Sequence, residues 1–307
     1  MNKTLRNKII LSSTLLLLLV GSRLRLEKDI SNLNHKIIAW STVTEDNDIK
    51  FVAHRGYSSM YPDNSLESIT ACNSLNCIEG IECDVHLTKD DELVLIHNDL
   101  IGLRHIYEYT YDDLRQMDDL KERLGVRQLL FKKYNYKEYE LLAQRETARK
   151  KSSFTLTTLD EILKTRDKSK VLFIDVKFSG YHDNYLMTRI GELVQGEENI
   201  IIQSFNKEKL REMKELYPDH IYQLLIDSKR ELESIDYEFD AYGIKYTILG
   251  EDTIKDLRNH NKIVSLWTVN SYQDFSTLYG EYPDYQDDIY YISDNPDMIG
   301  YQFKKDK

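Results

Sequence analysis

The chain has 307 residues, Lys+Arg 41 against Asp+Glu 52, a net charge of −11 and 41% hydrophobic residues with only 4 Pro and 12 Gly. This excludes collagen-like, low-complexity and wholly disordered chains, and the acidic balance argues against a generic nucleic-acid binder, which carries a basic field. The length suits one large α/β barrel or two ordinary domains, and an odd set of cysteines, Cys72, Cys77 and Cys83, excludes a full disulfide framework.

Lys3, Arg6 and Lys8 precede an apolar run at 9–21 that only Ser12, Ser13 and Thr14 interrupt, and Arg23 and Arg25 follow it. A positive flank and an apolar run too short for a spanning helix of about 20 residues have the layout of a signal peptide or membrane anchor. Leu15 to Leu19 are apolar all round, unlike an amphipathic helix. Val20-Gly21-Ser22 offers a small-residue cleavage site, and no Cys lies nearby for lipoprotein processing. Residues 1–26 are therefore expected to export or anchor the chain, with the rest on the extracytoplasmic side, membrane-anchored or secreted. Residues 27–48 read as a linker or short helix, and 49–307 as one domain.

From Lys50 onward, short β-branched runs alternate with longer amphipathic stretches. Strands are predicted at 51–53, 81–85, 171–175, 200–203, 221–225, 241–244, 263–268 and 289–292, and helices at 65–76, 158–165, 206–217, 253–261 and 271–279. Eight strand–helix repeats predict a (β/α)8 TIM barrel. The alternative, a doubly wound open sheet, wants a glycine-rich phosphate fingerprint after its first strand, and none is present. Cys72 and Cys77 fall in one apolar helix and read as packing residues rather than a disulfide.

One segment breaks the alternation. Residues 93–97 form an extra strand-like run that suits a hairpin on the second strand, and an insertion at about 101–154 follows. Its part at 121–151 carries ten basic and four acidic residues, with Tyr134, Tyr136 and Tyr139 interleaved. It reads as a solvated helical insertion, or as a lid or surface facing an anionic substrate or a membrane.

In such barrels the chemistry sits at the C-terminal ends of the strands. Reading those ends gives His54 and Arg55, Glu82 and Asp84, His97, Asp175 and Lys177, Gln203, Trp267 and Asn270, and Asp294. Glu82 and Asp84 are two apart on one strand and so share a face, with Asp175 in line on a neighbouring strand. Three carboxylates without Cys or His suit one hard divalent cation, Mg2+ or Ca2+ and possibly Mn2+. His54 and His97 suit an acid–base pair. Arg55 and Lys177 are placed to clamp a phosphodiester, and Trp267 either contacts a substrate alcohol or packs.

These blocks together resemble the glycerophosphodiester phosphodiesterase family. His-Arg-Gly-Tyr-Ser-Ser-Met-Tyr-Pro-Asp-Asn-Ser at 54–65 is similar to its HRG…PENT signature, Glu82-Cys-Asp84-Val with Leu95-Ile-His97 to its E-x-D-V…H block, and Ile174-Asp175-Val-Lys177 to its E-x-K strand. Leu266-Trp-Thr-Val-Asn270 and Ser293-Asp-Asn-Pro-Asp297 resemble its two late motifs. The resemblance implies a barrel that cleaves glycerophosphodiesters to sn-glycerol 3-phosphate and an alcohol. It also implies His54 and His97 as general acid and base, Glu82, Asp84 and Asp175 as holders of the divalent metal, and Arg55 and Lys177 on the phosphate. Small headgroup diesters, lysophospholipids and glycerophosphate polymers all fit as substrates, with the membrane as partner through the N-terminal segment and no nucleic acid. Asp175 stands where Glu is usual, Asp63 and Ser65 replace the Glu and Thr of PENT, and Asn98 follows His97 where Asp is usual. Two rivals fit the same residues: a related barrel phospholipase of lysophospholipase D or phospholipase C type, and a catalytically silent membrane-bound module for glycerophosphate polymers or lipid heads.

Overall fold

A computed structural model describes residues 3–44, 49–117, 120, 136–250 and 252–306, with side chains from residue 19 onward. The basic positions at 121–133, Tyr134 and the side chain of Tyr136 lie outside the described residues. The strands are β1 (Lys50–Ala53), β2 (Gly80–Leu87), β3 (Leu93–Leu95), β4 (Leu100–Ile101), β5 (Arg104–His105), β6 (Val171–Val176), β7 (Ile200–Ser204), β8 (Ile221–Ile226), β9 (Ala241–Lys245), β10 (Ile263–Trp267) and β11 (Ile289–Ser293). They run in the order β1-β11-β10-β9-β8-β7-β6-β2-β3, and β1 also pairs β2, so the sheet closes on itself. Within the closed ring the pairings are parallel, while β3 folds back antiparallel on β2. The predicted TIM barrel and the predicted hairpin are both present.

Alternation along each strand builds two cores. Outward residues such as Cys83, Ile174, Ile202, Leu224 and Tyr242 pack under the surrounding helices. Inward residues Val52, Phe173, Ile201 and Ile292 plug the barrel. Above the plug, in register, stand Asp84, Asp175, Gln203 and Gln223. The hydrophobic plug excludes water from below, so this polar layer is open on one side only. All three cysteines are free and buried, and burial pushes their thiols up.

The helices start where the sequence supplies caps. Ser65 Oγ accepts from Ser68 N at 3.1 Å and caps Leu66–Ala71, Thr158 and Glu161 form a capping box before Leu159–Thr165, and Asn206 and Ser271 cap the helices that follow them. Asp183–Val194 is absent from the predicted set, as are the shorter Tyr111–Arg115, Lys229–Leu232 and Pro296–Asp306. Asp183–Val194 begins at His182 with φ 52 and no side-chain cap, and carries Gly191 within it. Gly191 is required because a Cβ there would lie 2.3 Å from the Tyr217 ring.

The segment at 27–48 departs from the linker reading. One continuous helix runs Lys3–Val43. Ile30 and Ile37 are buried in a cluster with Leu141, Leu142 and Met298, and Trp40 meets Tyr301 edge-on with ring centroids 6.0 Å apart. With Leu26 and Leu33, which pack against the same cluster, these apolar positions recur every three or four residues, which makes one stripe on a helix. Among the described residues no helix is long and apolar enough to cross a membrane.

The described helix of the insertion has one exposed face and one buried face. Tyr136–Lys151 is helical, and its Arg145 is fully buried. That guanidinium donates to both oxygens of Asp297, at 3.0 and 2.7 Å, to Ser59 Oγ at 3.0 Å and to Asn34 Oδ1 at 2.8 Å. The insertion, the N-terminal helix, the loop after β1 and the last helix thus meet at one ion pair. Removing one partner of such a pair costs roughly 3–5 kcal/mol.

Candidate active site

The chain turns sharply after β1. Arg55 has φ 59 and Gly56 φ 77, left-handed conformations that are uncommon for a residue with a side chain. A Cβ on Gly56 would lie 2.4 Å from Ser68 Oγ, so glycine is needed there. The turn aims the Arg55 backbone N–H at Glu82 Oε2, 2.9 Å away, and its guanidinium at Asp84 Oδ2, 3.2 Å away. Seven residues after Gly56, the chain returns with Asp63 and Asn64. Asn64 clasps Asp84 from two sides: its Nδ2 donates to Oδ2 at 2.8 Å and its Oδ1 accepts from Asp84 N at 3.1 Å.

All eight residues singled out in the sequence, His54, Arg55, Glu82, Asp84, His97, Asp175, Lys177 and Trp267, line one cavity of about 110 Å³, together with Gln203 and Phe205. Oxygens of Glu82, Asp84 and Asp175 lie within 4.8 Å of one another, and all three residues are buried. Asp175 Oδ1 is buried without a hydrogen-bond partner. Three converging hard oxygen donors, one with an unused buried lone pair, fit a divalent cation, and shortening Glu to Asp at 175 does not take that residue out of the cluster.

Charge is tightly balanced here. Lys177 Nζ bridges Asp84 Oδ1 at 2.9 Å and Asp175 Oδ2 at 2.5 Å. Burial alone would raise the Asp84 carboxyl, but Lys177 and Arg55 overcome it and hold it well below the usual range. Glu82 goes the other way: burial, then the charges of Asp84 and Asp175, push it well up. Asp175 rises to about 6, mainly through burial. Burial would lower Lys177, yet Asp84 and Asp175 raise it, so it stays a cation.

The two imidazoles have different surroundings. His54 Nδ1 contacts Asp294 Oδ1 at 2.7 Å, and its Nε2 stands 3.8 Å from Glu82 Oε2. Asp294 is fixed in turn by Asn270, whose Nδ2 donates to Oδ2 at 2.6 Å and whose Oδ1 accepts from Asp294 N at 2.9 Å. A carboxylate only accepts, so the proton of a neutral His54 sits on Nδ1. His97 contacts Asn98 Oδ1 at 3.2 Å. Burial lowers it, Asp84 opposes this, and Arg55 and Lys177 add to the lowering.

Sequence reasoning placed Asn270 and Asp294 at the rim without a task; the structure makes them the support of His54. It missed Arg149 altogether. Arg149 is buried, donates to Ser58 O at 3.0 Å and pairs with Asp63 Oδ1 at 3.3 Å. The other Asp63 oxygen meets Arg55 Nη1 at 3.2 Å. A chain of alternating charge therefore runs from the insertion to the cavity wall. Only the basic bias of the insertion signalled it.

The model of the family described as "Glycerophosphoryl diester phosphodiesterase family" matches residues 54–289. A glycerophosphodiester phosphodiesterase of Bacillus subtilis (strain 168) is 23% identical over 247 residues, 74% of this chain and 78% of that protein. One from Bacillus altitudinis is 26% identical over 240 residues, 72% of this chain and 86% of that protein. Among solved structures, an Oleispira antarctica phosphodiesterase in complex with the product sn-glycerol-3-phosphate superposes with TM-score 0.63 at 20% identity, covering 84% of this chain and 97% of that one; at that identity the likeness concerns the fold.

Proposed function

The chain belongs to the glycerophosphoryl diester phosphodiesterase family, and from that premise we propose that it hydrolyses glycerophosphodiesters to sn-glycerol 3-phosphate and an alcohol, using His54 and His97 as acid and base beside one divalent cation. The observation that carries this reading is the convergence of both imidazoles, three carboxylates and two cations on one cavity.

Arg55 and Lys177 bind the phosphodiester and offset the charge that builds on its oxygens as phosphorus becomes five-coordinate. Glu82, Asp84 and Asp175 hold the cation, Mg2+ or Ca2+ with Mn2+ a further candidate; when bound, such an ion supplies Lewis-acid stabilisation of the phosphoryl oxygens. The glycerol 2-hydroxyl attacks phosphorus and the alcohol leaves; water then opens the cyclic phosphate. His97, kept neutral by burial and nearby cations, takes the hydroxyl proton. His54, its Nδ1 held by Asp294 and its Nε2 3.8 Å from Glu82 Oε2, gives a proton to the leaving oxygen. The two swap roles in the second half. Trp267, in contact with Phe205 at 5.6 Å between centroids, forms an apolar wall on which the alcohol lies.

The positive flank and short apolar run of the N-terminal segment support a barrel outside the cytoplasm, anchored or released. Cleavage near Val20-Gly21-Ser22 would leave the packed part of the helix, from Ile30 onward, in place.

The direct test is to incubate the protein with glycerophosphocholine, glycerophosphoethanolamine, a lysophospholipid and a glycerophosphate polymer, with Mg2+ or Ca2+, and measure sn-glycerol 3-phosphate. At least one is turned over; binding of all four without release of product would favour a silent binding module.

The Arg149–Asp63–Arg55 chain gives a second expectation. Arg149→Ala removes the charge that holds Asp63, and Asp63 then no longer fixes the Arg55 fork. KM for the diester rises about tenfold, equivalent to about 1.4 kcal/mol, while kcat changes less. Exogenous guanidinium restores part of the loss. A fall in kcat at constant KM would show that Arg149 does not act through Arg55.

A further inference from the structure

We infer that the catalytic mouth is also the face by which the barrel sits against a lipid bilayer, so that its phosphodiesters arrive from the membrane surface. The inference rests on the anchoring part of the reading above and is independent of its chemistry.

The direction of the N-terminal helix is the first observation. Near its end, Ser41 O accepts from Cys77 N at 3.2 Å and Thr42 O from Asn76 Nδ2 at 3.0 Å. Those partners precede β2 and lie at the barrel end where strands begin. Seven residues earlier, Asn34 bonds Arg145, which holds Ser59 and Asp297, residues that follow β1 and β11 at the catalytic end. Traced backward, the helix therefore climbs from the closed end to the mouth. From Asn34 to Val20 it continues for about 20 Å at 1.5 Å per residue, toward the apolar run at 9–21. Leu19, Val20 and Leu24 on this stretch are exposed.

The second observation is what surrounds the mouth. The β4–β5 hairpin presents Leu103 at its tip, 98% exposed, with Leu100 beside it at 42%. Tyr107, just after the hairpin, stacks on Tyr181 with centroids 4.3 Å apart. Tyr181 follows β6, so the hairpin stands at the catalytic rim. Phe205, 46% exposed, follows β7 at the cavity itself. Arg104 adjoins the tip, over the Tyr109 ring at 4.2 Å. Apolar tips with an adjoining cation suit the boundary between acyl chains and anionic headgroups. By contrast, the exposed Leu216 ends the helix Lys207–Leu216 at the closed end, where no apolar segment leads to it.

A bilayer reached by the helix on the mouth side faces these rim residues. The occupant is thus fixed by continuity: one apolar chain segment and one apolar rim point to the same side.

Leu103→Cys and Leu216→Cys test this in the full chain, since Cys72, Cys77 and Cys83 are buried and leave the new thiol as the labelling site. Each variant is labelled with a nitrobenzoxadiazole fluorophore and reconstituted into phosphatidylcholine–phosphatidylglycerol vesicles with and without doxyl-labelled lipid. The expected result is a blue-shifted label at position 103, quenched at least threefold more strongly by doxyl lipid than the label at 216. Equal quenching at both sites, stronger quenching at 216, or failure of the full chain to associate with the vesicles would each overturn the inference. Because no turnover is read, loss of the phosphodiesterase reading would leave this result standing.

Discussion

Replacing His97 by Ala lowers kcat for a glycerophosphodiester by roughly 10²–10⁴, the span typical of a lost general acid or base, and leaves the barrel folded. The fold should survive because His97 is itself exposed at the cavity wall, its ring in contact with the half-buried neighbour Asn98. His54→Ala should cost a similar factor. The double variant should cost little more than either single one, because two groups that exchange protons in one step act as a unit. The pH profile carries the sign of the same argument. As the proposed base His97 would work unprotonated, and burial with Arg55 and Lys177 lowers its proton affinity. It therefore stays competent to lower pH than an ordinary histidine, and the acid limb of kcat/KM lies below about 6.5. An acid limb centred above that value, or full activity in His97→Ala, would exclude His97 as the base.

The barrel was legible because its strands carry their own signal. Short β-branched runs such as Ile200–Ser204 and Ile289–Ser293 are bounded by polar turns, and a period of two needs only a few residues to be seen. The set that lines the cavity was legible for a related reason: strand ends are local, and parallel strands bring them to one rim whatever their distance in sequence. What escaped depends on contacts no local pattern encodes. Arg145 and Asp297 are 152 residues apart, and Arg149 and Asp63 are 86 apart; in sequence the two arginines are only members of a basic stretch. Asp183–Val194 escaped for the opposite reason, since its apolar stripe is present but starts without a side-chain cap and is interrupted by Gly191. The N-terminal helix was read as ending near residue 26 because Arg23, Arg25 and the polar positions after them break the apolar run. The stripe of Ile30, Ile37 and Trp40 is sparse and becomes meaningful only against Met298 and Tyr301.

Glu82→Gln is expected to lower turnover at least a hundredfold and, in cation-free buffer, to raise the melting temperature. The two effects have one origin. Burial and the Asp84 and Asp175 charges raise the proton affinity of Glu82 in the folded state. A carboxyl whose folded value lies above its unfolded value of about 4.3 binds more protons folded than unfolded, so stability falls as pH rises past the unfolded value. At neutral pH that penalty is present, and a neutral amide of the same shape removes it while its oxygen still accepts from Arg55 N–H. A gain of roughly 1–2 kcal/mol, or about 2–4 °C, is the scale such substitutions reach. In the wild-type chain the proposed cation would offset the same repulsion. Added Mg2+ or Ca2+ should therefore raise its melting temperature, chelation should reverse this and stop turnover, and Glu82→Gln should respond to neither. A variant that melts lower than wild type in chelator, or that remains stabilised by the divalent ion, would mean that the three carboxylates are held apart by Lys177 and Arg55 for a purely structural reason, and the cation would have to be sought elsewhere.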